Sequence, residues 1–316
     1  MLRKYGTIIK VVLVMVLICT VRYSFAQGDG PKTMLLTPKN FTVVNPVYMR
    51  LTSNINTATN IRVNDAKLTM DVVPFSVLYS FAIKNQFAQV FFTPNWVNID
   101  GKVNEMDTPN VSGSGDPFVA LRVGLIGAPA LNLKDYMNYK QGFQLYALVG
   151  STIPLGEYDS SNPINVGANR WGFRFSLPMV FNFKNHILQK STLEVTPSVK
   201  FFTKNSDIYG GGNRYQDPLL TLESHFAHTF SKKMWGSLDL GYQYGGNTRT
   251  NGSDDDNTIS QVGGGISLGY QIMDPLTFAV SYGSRFTPSD TNQMLRGSLV
   301  LMIPSKKDIR SLKNME

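Results

Sequence analysis

Met234-Trp235-Gly236-Ser237-Leu238-Asp239-Leu240-Gly241-Tyr242-Gln243-Tyr244 puts Leu238, Leu240, Tyr242 and Tyr244 on one side of an extended chain. It puts Trp235, Ser237, Asp239, Gly241 and Gln243 on the other. Successive side chains leave a β-strand on opposite faces, so strict alternation over eleven residues predicts a strand with one apolar and one polar or small-residue face. The same phase returns in Val262, Ile266, Leu268 and Tyr270, in Leu276, Phe278, Val280 and Tyr282, and in Leu295, Leu299 and Leu301. Upstream it appears in Trp171, Phe173, Phe175 and Leu177, in Leu193, Val195, Val199 and Phe201, and in Leu220, Leu222 and Phe226.

Read this way, the chain yields twelve strands, at 44–53, 67–82, 86–98, 115–126, 141–153, 168–183, 190–203, 216–230, 234–246, 258–271, 275–287 and 292–303. Their lengths suit tilted strands crossing a membrane, which need about 9 to 11 residues. Connections after even-numbered strands are mostly tight, as at Lys84-Asn85, Lys184 to Gln189, Ser231-Lys232-Lys233 and Met273-Asp274. Those after odd-numbered strands are mostly long and rich in Gly, Asn, Asp and Ser. That alternation matches a transmembrane antiparallel β-barrel of the outer membrane of a Gram-negative bacterium, with short periplasmic turns and longer outside loops. Gly127 to Lys140 is long for a periplasmic turn.

Of 316 residues, 42% are hydrophobic and 16% charged, which argues against disorder and against many membrane-spanning helices. Arg3, Lys4 and Lys10, the apolar run Val11 to Val21, and Ser24-Phe25-Ala26 predict an export signal over 1–26. Eleven residues between Lys10 and Arg22 are too few to span a bilayer as a helix, against the roughly 20 required. Residues 27–43 are expected to form a periplasmic segment with no plug domain ahead of the barrel, 44–304 the barrel, and 305–316 a basic tail. Beyond the signal the chain holds no Cys, which excludes disulfides, thiolate metal sites and a Cys nucleophile. Its scattered Lys and Arg do not predict a nucleic-acid partner.

An exported β-sandwich would also alternate. Closure into a barrel is favoured by aromatic residues near strand ends, including Trp96, Trp171, Tyr242, Tyr244, Tyr270 and Tyr282, which suit an interfacial girdle. In lipid an open sheet edge would leave backbone groups without partners.

Ile153-Pro154-Leu155-Gly156-Glu157-Tyr158-Asp159 and Asn165-Val166-Gly167-Ala168-Asn169-Arg170-Trp171 resemble the signature of an outer-membrane transporter family named for the MetA pathway of phenol degradation. Asn205 to Gly211, Arg214 to Leu219, Ser237 to Asp239, Gly245 to Thr248 and Asn251-Gly252 continue the resemblance, which runs from about Gly115 to Pro304. It implies an outer-membrane barrel acting as a transporter, with aromatic or other hydrophobic compounds as a possible solute class. Leu155 departs from the family's usual Thr, and the chain ends on a basic tail rather than on an aromatic residue.

Alternation places Arg122, Arg174, Lys200, Glu223, His225, Asp239, Arg285 and Arg296 on the lumen face. There they would either line an aqueous path or pair with one another, since twelve strands enclose less than the roughly 16 of an open porin. Glu157, Tyr158, Asn169, Arg170, Asp207, Tyr209, Arg214, Gln216 and Asp217 fall at outer strand ends, where they are expected to converge on a polar network at the extracellular mouth. No metal site, cofactor or catalytic group is expected. His225 and His228 point to opposite faces, His186 falls in a turn, and Ser224 and His228 lie roughly 14 Å apart at about 3.4 Å per residue. Asp254-Asp255-Asp256-Asn257 reads as a solvated loop tip, and outer-membrane lipid and a small solute are the expected partners.

Overall fold

The computed structural model describes residues 28–53, 66–103, 106–107, 110–183, 188, 190–285 and 292–305. Twelve antiparallel strands close into a barrel. They are β1 (Thr42–Ser53), β2 (Ala66–Ile83), β3 (Gln86–Thr93 continued by Asn95–Val103) and β4 (Val111–Ser114 continued by Phe118–Ile126). There follow β5 (Phe143–Thr152), β6 (Gly172–Ser176 continued by Met179–Asn182), β7 (Ser191–Phe202) and β8 (Leu219–Thr229). β9 (Met234–Gly245), β10 (Ile259–Met273), β11 (Leu276–Arg285) and β12 (Gln293–Ile303) complete the wall. Each strand pairs with its sequence neighbours, and β12 closes on β1 through Thr42 opposite Ile303 to Thr52 opposite Gln293.

The burial pattern is the reverse of a soluble sandwich. On β9, Leu238 and Leu240 are 57% and 56% exposed on the outer wall, whereas Ser237 and Asp239 are 7% and 1% exposed inside. Leu220, Leu222, Ile266, Leu268, Phe278, Leu295 and Leu299 also face outward. A hydrocarbon surround makes that arrangement favourable, because the strands pair their backbone groups around the ring. The aromatic residues expected at a girdle, Trp96, Trp171, Tyr242, Tyr244, Tyr270 and Tyr282, are all exposed on the outer wall.

Three strands are longer than they look locally, because proline interrupts their ladders. β3 breaks at Pro94, β4 at Gly115-Asp116-Pro117 and β6 at Leu177-Pro178, since proline has no N–H to donate. Neighbouring groups close the gaps. The amide of Phe75 donates to Pro94 O (2.9 Å), that of Leu177 to Pro197 O (3.1 Å) and that of Tyr146 to Pro178 O (2.9 Å), so the wall stays sealed.

The one helix among the described residues, α1 (Leu133–Asn138), lies in the Gly127 to Lys140 connection that looked too long for a turn. Asn132 caps it, accepting the Asp135 amide at 2.9 Å. The connection packs under the lumen, where Leu131, Tyr136 and Tyr139 meet a buried cluster including Met34, Leu36, Phe87, Tyr146 and Val180.

Candidate functional site: a lumen threaded by the chain's own N-terminal segment

Met34 and Leu36 are 3% and 1% exposed, yet they precede the barrel. The segment expected to lie in the periplasm enters the lumen at the short-turn end. Lys39 donates its amide to Leu131 O (2.8 Å), and Asn40 donates to Ser80 O (2.6 Å). The hydroxyl of Tyr136 then reaches Leu36 O (3.0 Å). Residues 28–36, expected in the periplasm ahead of the barrel, therefore lie inside it. No hydrophobic run announces a plug here, because the segment is held by polar lumen groups far away in the sequence.

Those groups come from several staves. Glu194 on β7, 1% exposed, accepts the amides of Lys32 (2.7 Å) and Met34 (3.0 Å) on its two oxygens. Arg122 on β4 reaches Thr33 O (3.4 Å), Leu35 O (3.3 Å) and Gln89 Oε1 (2.7 Å). Its guanidinium also lies 4.7 Å from the ring centroid of Tyr146. Lys32 Nζ donates to Thr229 Oγ1 (3.3 Å) and sits 5.1 Å from the centroid of the Trp235 ring.

At the tip, Arg174 on β6 grips Asp29 through two parallel bonds of 2.9 and 2.7 Å. Glu223 accepts the Asp29 amide (3.0 Å), and Arg296 donates to Asp29 O (3.0 Å). Gly28 and Gly30 flank this residue, and a Cβ on either would overlap the Glu223 carboxylate or the Arg296 guanidinium. Gly30 also has φ +86°, a conformation side-chain-bearing residues rarely adopt.

All eight lumen candidates lie inside or against the inner wall. Arg122, Arg174, His225, Asp239, Arg285 and Arg296 are buried, and Lys200 and Glu223 are half-buried. Two form a direct wall-to-wall pair: His225 Nδ1 lies 2.8 Å from Asp239 Oδ1, and Asp239 also accepts from Ser237 (2.8 Å) and Ser267 (2.6 Å). Most of the others meet the N-terminal segment instead. Glu194, Gln89, Asp29 and Lys32 were missed as site residues; Glu194 carried a signal, being an ionisable residue at an inward strand position.

Opposite the segment, β9 to β11 present small inward residues. Gly241 faces Gly263 and Gly265 faces Gly283 across the ladders. A cavity of about 90 Å³ lies there beside Gly28, lined by Thr221, Glu223, Gln243, Gln261 and Arg285 among others.

At the long-loop end a second polar network joins β4 to β10. Asp116 accepts the amides of Gly156 and Ala168 (both 2.8 Å), which ties the two loop motifs around them to the β4 break. Glu157 accepts from the Ser114 amide (3.0 Å). Tyr158 donates to Asp207 O (2.6 Å) and accepts from Asn205 (3.1 Å), while Asn169 donates to Asn205 Oδ1 (3.1 Å). Asn205, fully buried, is the hub that sequence reasoning did not single out.

Arg170 donates to Gln216 Oε1 (2.5 Å) and stacks 4.8 Å from the Phe202 ring centroid. Burial, with the neighbouring Arg214 charge, lowers its pKa to about 10. Gln216 passes the chain on to Gly246 O (3.0 Å), and Asp217 pairs with Arg249. Arg214 donates to Thr250 Oγ1 (3.0 Å) from a short strand, Arg214–Gln216, that pairs with Thr248–Thr250. Tyr209 stands apart, 57% exposed.

One expectation about a lesser feature changes. Asp255 is no solvated tip: it is 5% exposed and accepts from Thr248 (2.5 Å) and Thr250 (2.8 Å). His228 pairs with Ser191 (2.8 Å) and packs on Phe230 at the outer wall. His186 lies outside the described residues. Among those residues no group of three or more His, Cys, Asp or Glu is placed to hold a metal ion.

Apolar outside, polar inside and closed on itself, the molecule is a porin-like β-barrel of the outer membrane. The sequence model for the family described as MetA-pathway of phenol degradation matches residues 38–301, and the chain belongs to that family. No curated protein matches the chain in sequence. Among solved structures, the COG4313 outer membrane channel from Pseudomonas putida F1 superposes with a TM-score of 0.73 at 17% identity, covering 87% of this chain and 100% of that one. The translocator domain of autotransporter NalP from Neisseria meningitidis has a TM-score of 0.49 at 9% identity, covering 84% and 89%. The toluene transporter TbuX from Ralstonia pickettii has 0.42 at 8%, covering 90% and 95%. At those last two values the likeness bears on neither fold nor solute.

Proposed function

We propose that this barrel passes small molecules, hydrophobic or aromatic ones among them, across the outer membrane by passive movement. The short turns then face the periplasm, the long loops the outside, and the network around Asn205 forms the extracellular mouth. The observation that carries this reading is the inner wall. Buried Arg122, Arg174, Arg285 and Arg296 line it, and charges in a lumen tune which solutes pass. The glycine-lined sector of β9 to β11 borders a cavity of about 90 Å³ beside the segment, and the family description supports the aromatic class. No chemistry is assigned to the barrel, since its polar groups hold chain segments in place.

The filled lumen favours one rival, a non-transporting barrel whose loops bind a partner or stiffen the envelope. Reconstitution into planar bilayers separates the two. Conductance together with solute flux into vesicles supports passage, and silence in both overturns it. Uptake compared between deletion and complemented cells would then identify the solute.

A further inference from the structure

Arg174 and Lys200 stand directly opposite each other on the inner faces of β6 and β7. Like charges in cross-strand register repel, and they do so more strongly where little water screens them. Two carboxylates set near them relieve the repulsion, that of Glu223 on the neighbouring β8 and, from elsewhere in the chain, that of Asp29. The latter is held in the bidentate geometry by which a guanidinium recognises a free carboxylate. Ser176 and Ser198 complete the cradle, accepting from Arg174 at 2.9 and 3.4 Å and so fixing the guanidinium plane.

The wall half of this site belongs to the barrel, whereas the carboxylate arrives on a tether. Gly28 and Gly30 remove every side chain beside Asp29, so what the lumen receives is little more than a carboxylate on a strand of backbone. The cavity of about 90 Å³ adjoins it at Gly28 and Glu223. A small acid coming from the long-loop side would therefore meet Asp29 at a site already shaped for its own headgroup.

We infer that the Arg174–Lys200 pair, with Arg296 beside it, is a carboxylate-binding site in the lumen, that Asp29 is its tethered occupant, and that small organic acids displace Asp29. This rests on the proposed passage and narrows its solutes to carboxylate-bearing molecules. Displacement also removes the Arg174 clamp and leaves the tip of the segment on its backbone bonds to Glu223 and Arg296, so the solute itself loosens the obstruction.

The test uses the barrel in detergent with its N-terminal segment intact, titrated calorimetrically with benzoate and with the neutral isostere benzamide. Asn at position 29 keeps the shape but surrenders the charge. Asp29→Asn is expected to bind benzoate at least tenfold more tightly than the wild type, with benzamide unaffected. Adding Arg174→Gln to Asp29→Asn should reverse that gain by tenfold or more, and Lys200→Gln should do the same where the Arg174 variant fails to fold. Benzoate affinity within twofold of wild type in Asp29→Asn, or equal gains for benzoate and benzamide, overturns the inference. Bilayer recordings on the same proteins keep the two readings apart. Benzoate binding without conductance supports the site and sinks the passage, whereas conductance without benzoate preference sinks the site alone.

Discussion

Glu194→Gln is the sharpest single test of how the segment is held. Both carboxylate oxygens are in use, one on the Lys32 amide at 2.7 Å and one on the Met34 amide at 3.0 Å, and the side chain is 1% exposed. Glutamine retains one acceptor and turns an NH2 toward the other amide. One hydrogen bond to a charged group is lost, at about 1.5–3 kcal/mol, and a buried N–H is left unmet, at about 1–3 kcal/mol. The sum, about 2.5–6 kcal/mol, shifts the ratio of released to docked segment by roughly two powers of ten at its lower end. Amide hydrogen exchange read by mass spectrometry on peptides covering 28–41 should accelerate by about a hundredfold, while peptides from β9 and β10 keep their protection. Exchange in 28–41 at the wild-type rate would refute the reasoning, because it would mean that Glu194 does not hold the segment.

Three further outcomes follow from other parts of the molecule. Gly156→Ala sets a Cβ 2.8 Å from the Asp116 amide nitrogen and from Gly115 backbone; a loss of about 1–3 kcal/mol is expected, visible as a lower melting temperature in detergent with the barrel otherwise intact. Leu240→Arg puts a charge at the middle of β9 on the lipid side and should cost about 2–4 kcal/mol, measured by reversible urea unfolding in lipid vesicles; a change below about 0.5 kcal/mol would show that Leu240 does not face hydrocarbon. Arg170→Ala removes the bond to Gln216 and the stack on Phe202; altered solute selectivity in an uptake assay is the expected result, and unchanged selectivity in a less stable barrel would reduce Arg170 to a loop brace.

How far the fold is legible in the chain depends on how local its cause is. Lipid imposes the same demand on every stave, an apolar side chain at every second position, so Met234 to Tyr244 and its repeats betray strand number, facing and closure without reference to any distant residue. The prolines at 94, 117 and 178 blur strand ends, yet each stave is still recognisable because its phase resumes beyond the break. The mouth is partly legible for the same reason: Glu157, Asn169, Arg170 and Arg214 lie in loops whose Gly, Asn and Asp content marks them. Asn205 and Asp255 escape notice because nothing in their neighbourhood tells that loops from other staves will bury them.

By itself the sequence determined the wall of this protein, its alternating faces, its twelve crossings and the sign of each inward charge. The tertiary structure alone decided what fills the space inside. Asp29 meets Arg174 across 145 residues, Lys32 meets Glu194 across 162, and Asp29 meets Glu223 across 194. A period of two speaks only for a residue and its immediate neighbours, whereas a charged lumen is satisfied by whichever polar group can reach it, and here that reach belongs to the chain's own beginning.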